Sequence, residues 1–490
     1  MSRLLVVVQL ALLGGTAMAA PRTIDGTPGR LVTVEADAPA LPAAKISNVL
    51  YMNRCTGGCL ITKGDQTRAD TNESTIPMPS PACPNPEAGC TLGEFYNAAG
   101  QTGALADDEW SALVQCVREV YSPFDVVVTD QKPTSGTYHE AIVAGQPSEI
   151  GLANDILGIA LLTSNCAPLD NSISFSFANH HERADPQRVF TVCWTVTQES
   201  AHAYGLDHAY VFKDGTSTCN DPMTYRTDCG GQRFFRNKRA TCGEYAERAC
   251  RCGGTQNSHG TLLDVFGAGE SLTPPPTVSV SLPKPDTALG AVAGATAGSQ
   301  RGVEKVQLLV NGFVWSSIAG AAFGVNGQGV EQVYTLPVPA NLPASKIDLV
   351  VRACDDLSSC TDSPVVPTYK GDPAGCTTAD QCADHQTCDD GYCRFPAPVG
   401  EVGDACEYQQ FCKSDLCAGT ADQKICTQTC EVGDACPSGL TCASNNGVDG
   451  ACFLPDSGGC CSASDHTPPW TAVGGSLLVV LLVRRRRPLL

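Results

Sequence analysis

Positive charge is scarce in this chain of 490 residues: 32 lysines and arginines stand against 51 aspartates and glutamates, for a formal net charge of -19. The deficit is deeper away from the termini, because Arg3 and the run Arg484 to Arg487 supply part of that small positive share. An acidic surface repels phosphate backbones and favours solubility, so no nucleic acid is expected as a partner. Long apolar runs are missing too. Leu4 to Leu13 is too short for a membrane span of about 20 residues, and the stretch from Trp470 to Val483 is marginal.

Cysteine, by contrast, is abundant, with 28 residues spread through most of the chain. A reducing cytosol rarely tolerates so many, so an oxidising compartment and disulfide stapling are expected. The N-terminus agrees: Arg3 precedes the apolar run, and Ala17-Met18-Ala19 has the small-x-small form of a signal-peptidase site. Residues 1–19 are therefore expected to be a signal peptide and the protein to be exported.

At the other end, Cys460 and Cys461 precede the apolar stretch 470–483, and the arginines after it favour a cytoplasmic tail. This order of cysteine pair, apolar stretch and arginine cluster over residues 458–490 resembles the C-terminal sorting segment of myxobacterial surface proteins. The resemblance implies a membrane partner for that segment and retention at, or release from, the cell surface. A plain single-span anchor is the other reading.

The length calls for several modules. Residues 43–269 mix helix and strand signals, which makes the first module α+β. "ADDEWSALVQCVREVY" has acids at its start and Trp110, Leu113, Val114, Val117 and Val120 on a helical period. "FDVVVTD" and "GIALLTSN" read as buried strands, and "SISFSFA" alternates strictly, which predicts a half-exposed edge strand with Ile173, Phe175 and Phe177 on one face. "VFTVCWTVTQESAHAYG" runs without Pro or Gly until Gly205, and its Thr and Val residues mean that packing must hold the helix.

After the linker prolines Pro274 to Pro276, residues 273–370 carry β-branched runs between Gly and Pro turns, the pattern of an antiparallel sandwich. The module looks like a bacterial immunoglobulin-like domain, with Cys354 and Cys360 close enough to pair within one loop and with a spacer or adhesion role expected. Residues 376–455 hold twelve cysteines, and the recurring "VGDAC" hints at an internal repeat. With so little apolar content, disulfides must supply the stability of this small segment. Zinc knuckles are the rival reading, weakened by a single histidine, His385.

"TQESAHAYGLDHAY", Thr197 to Tyr210, carries the chemistry. A helix places residues four apart on one face, so the side chains at 198 and 202 can converge on one ion with Glu199 beside it. Gly205 can end the helix in a left-handed conformation and let His208 swing back to the same point. The spacing Gln198-Glu199-x-x-His202-x-x-Gly205-x-x-His208 resembles the metzincin signature of zinc metallopeptidases, which has His at the first position. "DPMTY" supplies Met223 for the methionine turn of that family and Tyr225 for its Met-x-Tyr pattern.

The resemblance implies a zinc ion held by His202, His208 and the residue at 198, with Glu199 as general base toward a water that attacks a peptide carbonyl, and Tyr225 on the oxyanion. An extracellular protein or peptide is then the substrate. Gln198 departs from the pattern, since an amide oxygen is a neutral, harder donor than imidazole. Four outcomes stay open: Gln198 ligates through oxygen, water takes its place, "NHHE" lends His180 or His181, or the site is metal-free with Gln198 bonded to His202 or His208. A catalytically silent surface protein that binds or adheres is the alternative function. The first module holds twelve cysteines, which are expected to pair; Cys55 or Cys59 of "NRCTGGC" is the only candidate for a thiolate plug on the metal.

Overall fold

The computed structural model describes residues 30–36, 46–210, 221–225, 231–320, 331–338 and most of 342–453. The signal-peptide and sorting-segment expectations, and Cys219, Cys229 and His385, lie outside the described residues. The chain is mixed α+β, mostly strand, with three α-helices among the described residues. None of these helices is long and apolar enough to cross a membrane.

The first part of the chain runs β1 (Arg30–Ala36), β2 (Val49–Asn53), β3 (Cys59–Lys63), β4 (Glu73–Ser74), β5 (Cys90–Leu92), α1 (Asp107–Tyr121), β6 (Val127–Thr129), β7 (His139–Val143), β8 (Ile156–Thr163), β9 (Ile173–Ser176) and α2 (Arg188–Ala203). Two short strands, β10 (Arg239–Ala240) and β11 (Gln256–Asn257), and α3 (Ser258–Phe266) complete it. Six strands form one sheet in the order β1-β8-β9-β7-β2-β6. β6, β2, β7 and β9 are mutually parallel, β8 runs antiparallel to β9, and β1 lies parallel along the outer side of β8.

The expected stripe of α1 is buried: Trp110, Leu113, Val114, Val117 and Val120 all face inward. Its Cys116 is bonded to Cys193 of α2, which pins the two helices together. Every residue of α2 from Val192 to Ala203 is buried, so packing against β7, β8 and β9 offsets the helix's weak β-branched propensity.

Two strand expectations need correction. The "SISFSFA" strand is not a half-exposed edge: β9 sits between β8 and β7 with all four residues buried. The alternation arises because its serines face a buried polar partner, not water. Ser172 and Ser174 hydroxyls bond the two ring nitrogens of His139 at 2.7 and 2.9 Å. "FDVVVTD" yields only the three-residue edge strand β6, with Val128 buried and Val127 exposed.

Residues 277–370 form two further sheets. β12 (Thr277–Leu282), β13 (Val292–Gly298) and β16 (Gln332–Pro337) make one; β14 (Lys305–Val310), β15 (Phe313–Ala319), β17 (Ser345–Cys354), β18 (Cys360–Asp362) and β19 (Val366–Lys370) make the other. All the pairings are antiparallel, and inward residues of both sheets share one core, including Ala293, Ala295, Val306, Leu308, Leu336 and Leu349. Cys354 and Cys360 are bonded across the turn between β17 and β18.

The cysteine-rich segment is three units of four cysteines. In each, the first cysteine bonds the third and the second bonds the fourth: Cys376–Cys388 with Cys382–Cys393, Cys406–Cys417 with Cys412–Cys426, and Cys430–Cys442 with Cys436–Cys452. No thiolate is left there to hold zinc, which removes the zinc-knuckle reading. In the first module Cys55 bonds Cys59, so neither is a thiolate plug. Cys250 and Cys252 do not bond each other but reach Cys242 and Cys166.

Candidate functional site

Gln198, Glu199 and His202 sit in the last two turns of α2, the part of the helix with no exposed surface. Gly205 follows at φ 96°, the left-handed conformation that turns the chain back on itself. A side chain there would also meet the Cys166 carbonyl, since a Cβ would sit 2.2 Å from that oxygen. The reversal brings His208 to His202: their Nε2 atoms are 2.9 Å apart, with the rings edge to face.

The hydrogens on these rings follow from their other contacts. His202 Nδ1 lies 2.7 Å from the Leu206 carbonyl, which can only accept, so Nδ1 carries the hydrogen. His208 Nδ1 lies 2.8 Å from Glu244 Oε1 and donates to that carboxylate. The hydrogen bond from His208, with further help from Arg248, holds the Glu244 carboxyl well below its ordinary range, so it is ionised. Burial, then proximity to His208, pushes His202 down to about 3 and keeps its ring neutral. Each ring is thus held through Nδ1, and the two Nε2 atoms meet on the inner side. Two imidazole nitrogens so placed are donors that a metal ion can take up once the proton shared between them is released.

Two side chains in the same last turns of α2 are unsatisfied. Neither amide atom of Gln198 and neither carboxylate oxygen of Glu199 has a hydrogen-bond partner, and all four are buried. Burial alone raises the Glu199 carboxyl well above its ordinary value. A buried, unpartnered carboxylate costs several kcal/mol or takes up a proton, and a cation close by reverses both effects. The residues therefore fit a zinc ion, with His202 and His208 through Nε2 and Gln198 through its amide oxygen as the groups that would hold it.

Gln198 bonds neither His202 nor His208, so the metal-free arrangement with a glutamine cap is not the one observed. His181 is also committed elsewhere, its Nε2 lying 3.3 Å from the Thr195 hydroxyl. Met223 is fully buried, and its carbonyl accepts from the amide of Ala209, the residue after His208. The Pro222 carbonyl accepts from the Trp194 indole at 2.7 Å, which ties the turn to α2. Tyr225 stands with its ring centroid 4.6 Å from that of His208 and packs on Leu157 and Trp194.

Sequence reasoning missed three supports. Glu244 orients His208, and Arg248 bridges Glu244 and the buried Asp207. Burial would raise the Asp207 carboxyl, but hydrogen bonds from Arg248 and the amides of Arg251 and His208 hold it below the usual range. The segment that bears them is stapled by Cys242–Cys250 and tied to the reversal by Cys166–Cys252. The third is Gly158 of β8: a Cβ there would lie 2.7 Å from Glu199 Cγ and Oε1, so only glycine lets α2 approach the strand this closely. The cysteine spacing was the one available signal for Glu244, and it does not reveal pairing.

No family model matches the chain, and no curated protein is similar to it.

Proposed function

We propose that the protein is an exported, surface-held zinc metalloendopeptidase of metzincin type acting on extracellular protein or peptide. The observation that carries this reading is the meeting of His202 Nε2 and His208 Nε2 at 2.9 Å, with Gln198 and Glu199 on the same helix end and their side-chain polar atoms buried and unpartnered. The four parallel strands with β8 and β1 running against them, the buried helix and the methionine turn support the metzincin likeness, and the many disulfides support an oxidising location.

When bound, zinc would supply Lewis-acid stabilisation of charge developing on the scissile carbonyl. Glu199, buried and without a competing hydrogen bond, is poised to take the proton of the attacking water and return it to the leaving amine. Its raised proton affinity suits both steps. Tyr225, over the His208 ring, is the candidate donor to the oxyanion of the tetrahedral intermediate.

Gln198 is the specific feature that favours a second reading, a silent cleft that holds a peptide or leaves adhesion to the later modules. Zinc content of the purified chain, with cleavage of an unstructured protein with and without chelator, separates the two. Chelator-sensitive turnover that disappears in Glu199→Ala supports the peptidase. Absence of both metal and turnover leaves the binding protein.

A further inference from the structure

We infer that Asp356, on the turn between β17 and β18 of the two-sheet module, is a positioning residue for the candidate metal site, which is therefore completed across a module boundary. The inference rests on the metal reading of His202 and His208, and it gives the second module more than a spacer's role.

Asp356 is almost fully buried against the first module. Its two carboxylate oxygens accept from Arg301 Nε and Nη2 at 3.0 Å each, one also accepts from the Asn237 amide at 3.0 Å, and Arg236 Nη1 lies 3.5 Å away. Arg236 and Arg301 are both 1 % exposed, so two guanidiniums from different modules share one central carboxylate. Burial would raise the Asp356 carboxyl, but the two arginines overcome it and keep the group ionised. Arg236 also donates to the Arg301 carbonyl at 2.6 Å, and Arg301 Nη2 to the Phe235 carbonyl at 2.9 Å.

From Arg236 the contacts lead to the site in short steps. The Arg236 amide donates to Asp221 Oδ2 at 2.9 Å, and Asp221 Oδ1 accepts from the Met223 amide at 2.8 Å. The Met223 carbonyl accepts from Ala209 at 2.9 Å, directly after His208. Asp221 is buried, and its contacts fix the turn that carries Met223. Without the Asp356 charge, Arg236 and Arg301 lose the carboxylate they share away from water, and the segment bearing Arg236 must shift. The shift reaches Asp221 directly, because its carboxylate accepts from the Arg236 backbone amide and cannot keep that bond unless it follows the segment.

The test uses the full chain with Asp356→Asn, and Asp362→Asn as control. Asp362 belongs to the exposed Arg352 pair of the same module, and among the described residues its side-chain hydrogen bonds run to Arg352. Zinc affinity is read by competition with a chromophoric chelator, and hydrogen exchange is read at the Met223 and Thr224 amides. Asp356→Asn is expected to weaken zinc about tenfold or more and to speed exchange at Met223, while Asp362→Asn matches wild type. If Asp356→Asn does not fold, Arg301→Lys decides: it keeps the charge but cannot span both oxygens, and it should show the same two effects at smaller size. Folded variants with wild-type affinity and exchange overturn the inference, as does an equal loss in the control. A wild-type chain that takes up no zinc defeats the metal reading instead, and the exchange data still decide the mechanical link.

Discussion

His202 Nε2 and His208 Nε2 lie 2.9 Å apart, each ring held from its far side through Nδ1, by the Leu206 carbonyl and the Glu244 carboxylate. Gln198 lies one helical turn before His202 on the same face, with its amide unsatisfied. Gln198→His should therefore add a third imidazole to the pair and tighten zinc by roughly tenfold or more, since imidazole is the softer and stronger zinc donor. Competition titration of wild type and variant measures it. A variant that gains no affinity shows that position 198 is not aimed at the ion.

Glu244 fixes the tautomer of His208, so its loss should act on the metal and not on the fold. Glu244→Ala is expected to weaken zinc by about 10- to 100-fold, and Glu244→Gln, which keeps an acceptor oxygen, by less. Cobalt substitution gives a second readout, because a His208 ring free to rotate changes the visible absorption of the site. Identical affinity and spectra in wild type and Glu244→Ala would falsify the orienting role.

The helix that carries Gln198 and His202, and the reversal after it, were legible because they depend on local rules. Helical period puts 198 and 202 on one face, and Gly205 is the residue that turns left-handed at least cost. Glu244 was not legible, because it reaches His208 through a segment placed by Cys166–Cys252, and pairing cannot be read from spacing. β9 was misread for a related reason. Alternation reports polarity on one face, and polarity means solvent only when no buried partner such as His139 waits there. The junction at Asp356 had no sequence signal at all, since its arginines come from two modules and meet only in the folded chain.

The N-terminal strand β1 covers the outer edge of β8, with Leu31 opposite Gly158, the residue against which Glu199 packs. An extended peptide that adds to the sheet beside Glu199 needs that same edge. A chain beginning at Ala43 is therefore expected to cleave an unstructured protein several times faster than a chain that keeps residues 30–36. Equal rates from the two forms would mean that substrate does not use this edge.

Glu140 of β7 offers a test of the sheet that does not touch the site. Its side chain is fully buried, Oε1 accepts from Asn53 Nδ2 at 2.7 Å, and Oε2 has no partner. Burial pushes its carboxyl up to about 7, against the opposing effect of the Asn53 hydrogen bond. Between the unfolded value of 4.5 and the folded one, the native state holds a proton that the unfolded chain has already released. Stability from this group is thus complete at acid pH and is lost as pH rises through about 7. The loss is on the order of 3 kcal/mol at most, because each pKa unit corresponds to about 1.4 kcal/mol. Glu140→Gln keeps the acceptor for Asn53 and removes the charge, so it should stabilise the protein at pH 8 and change little at pH 4. Urea midpoints of the two forms across that range measure the difference, and parallel pH profiles would show that Glu140 ionises without cost in the folded state.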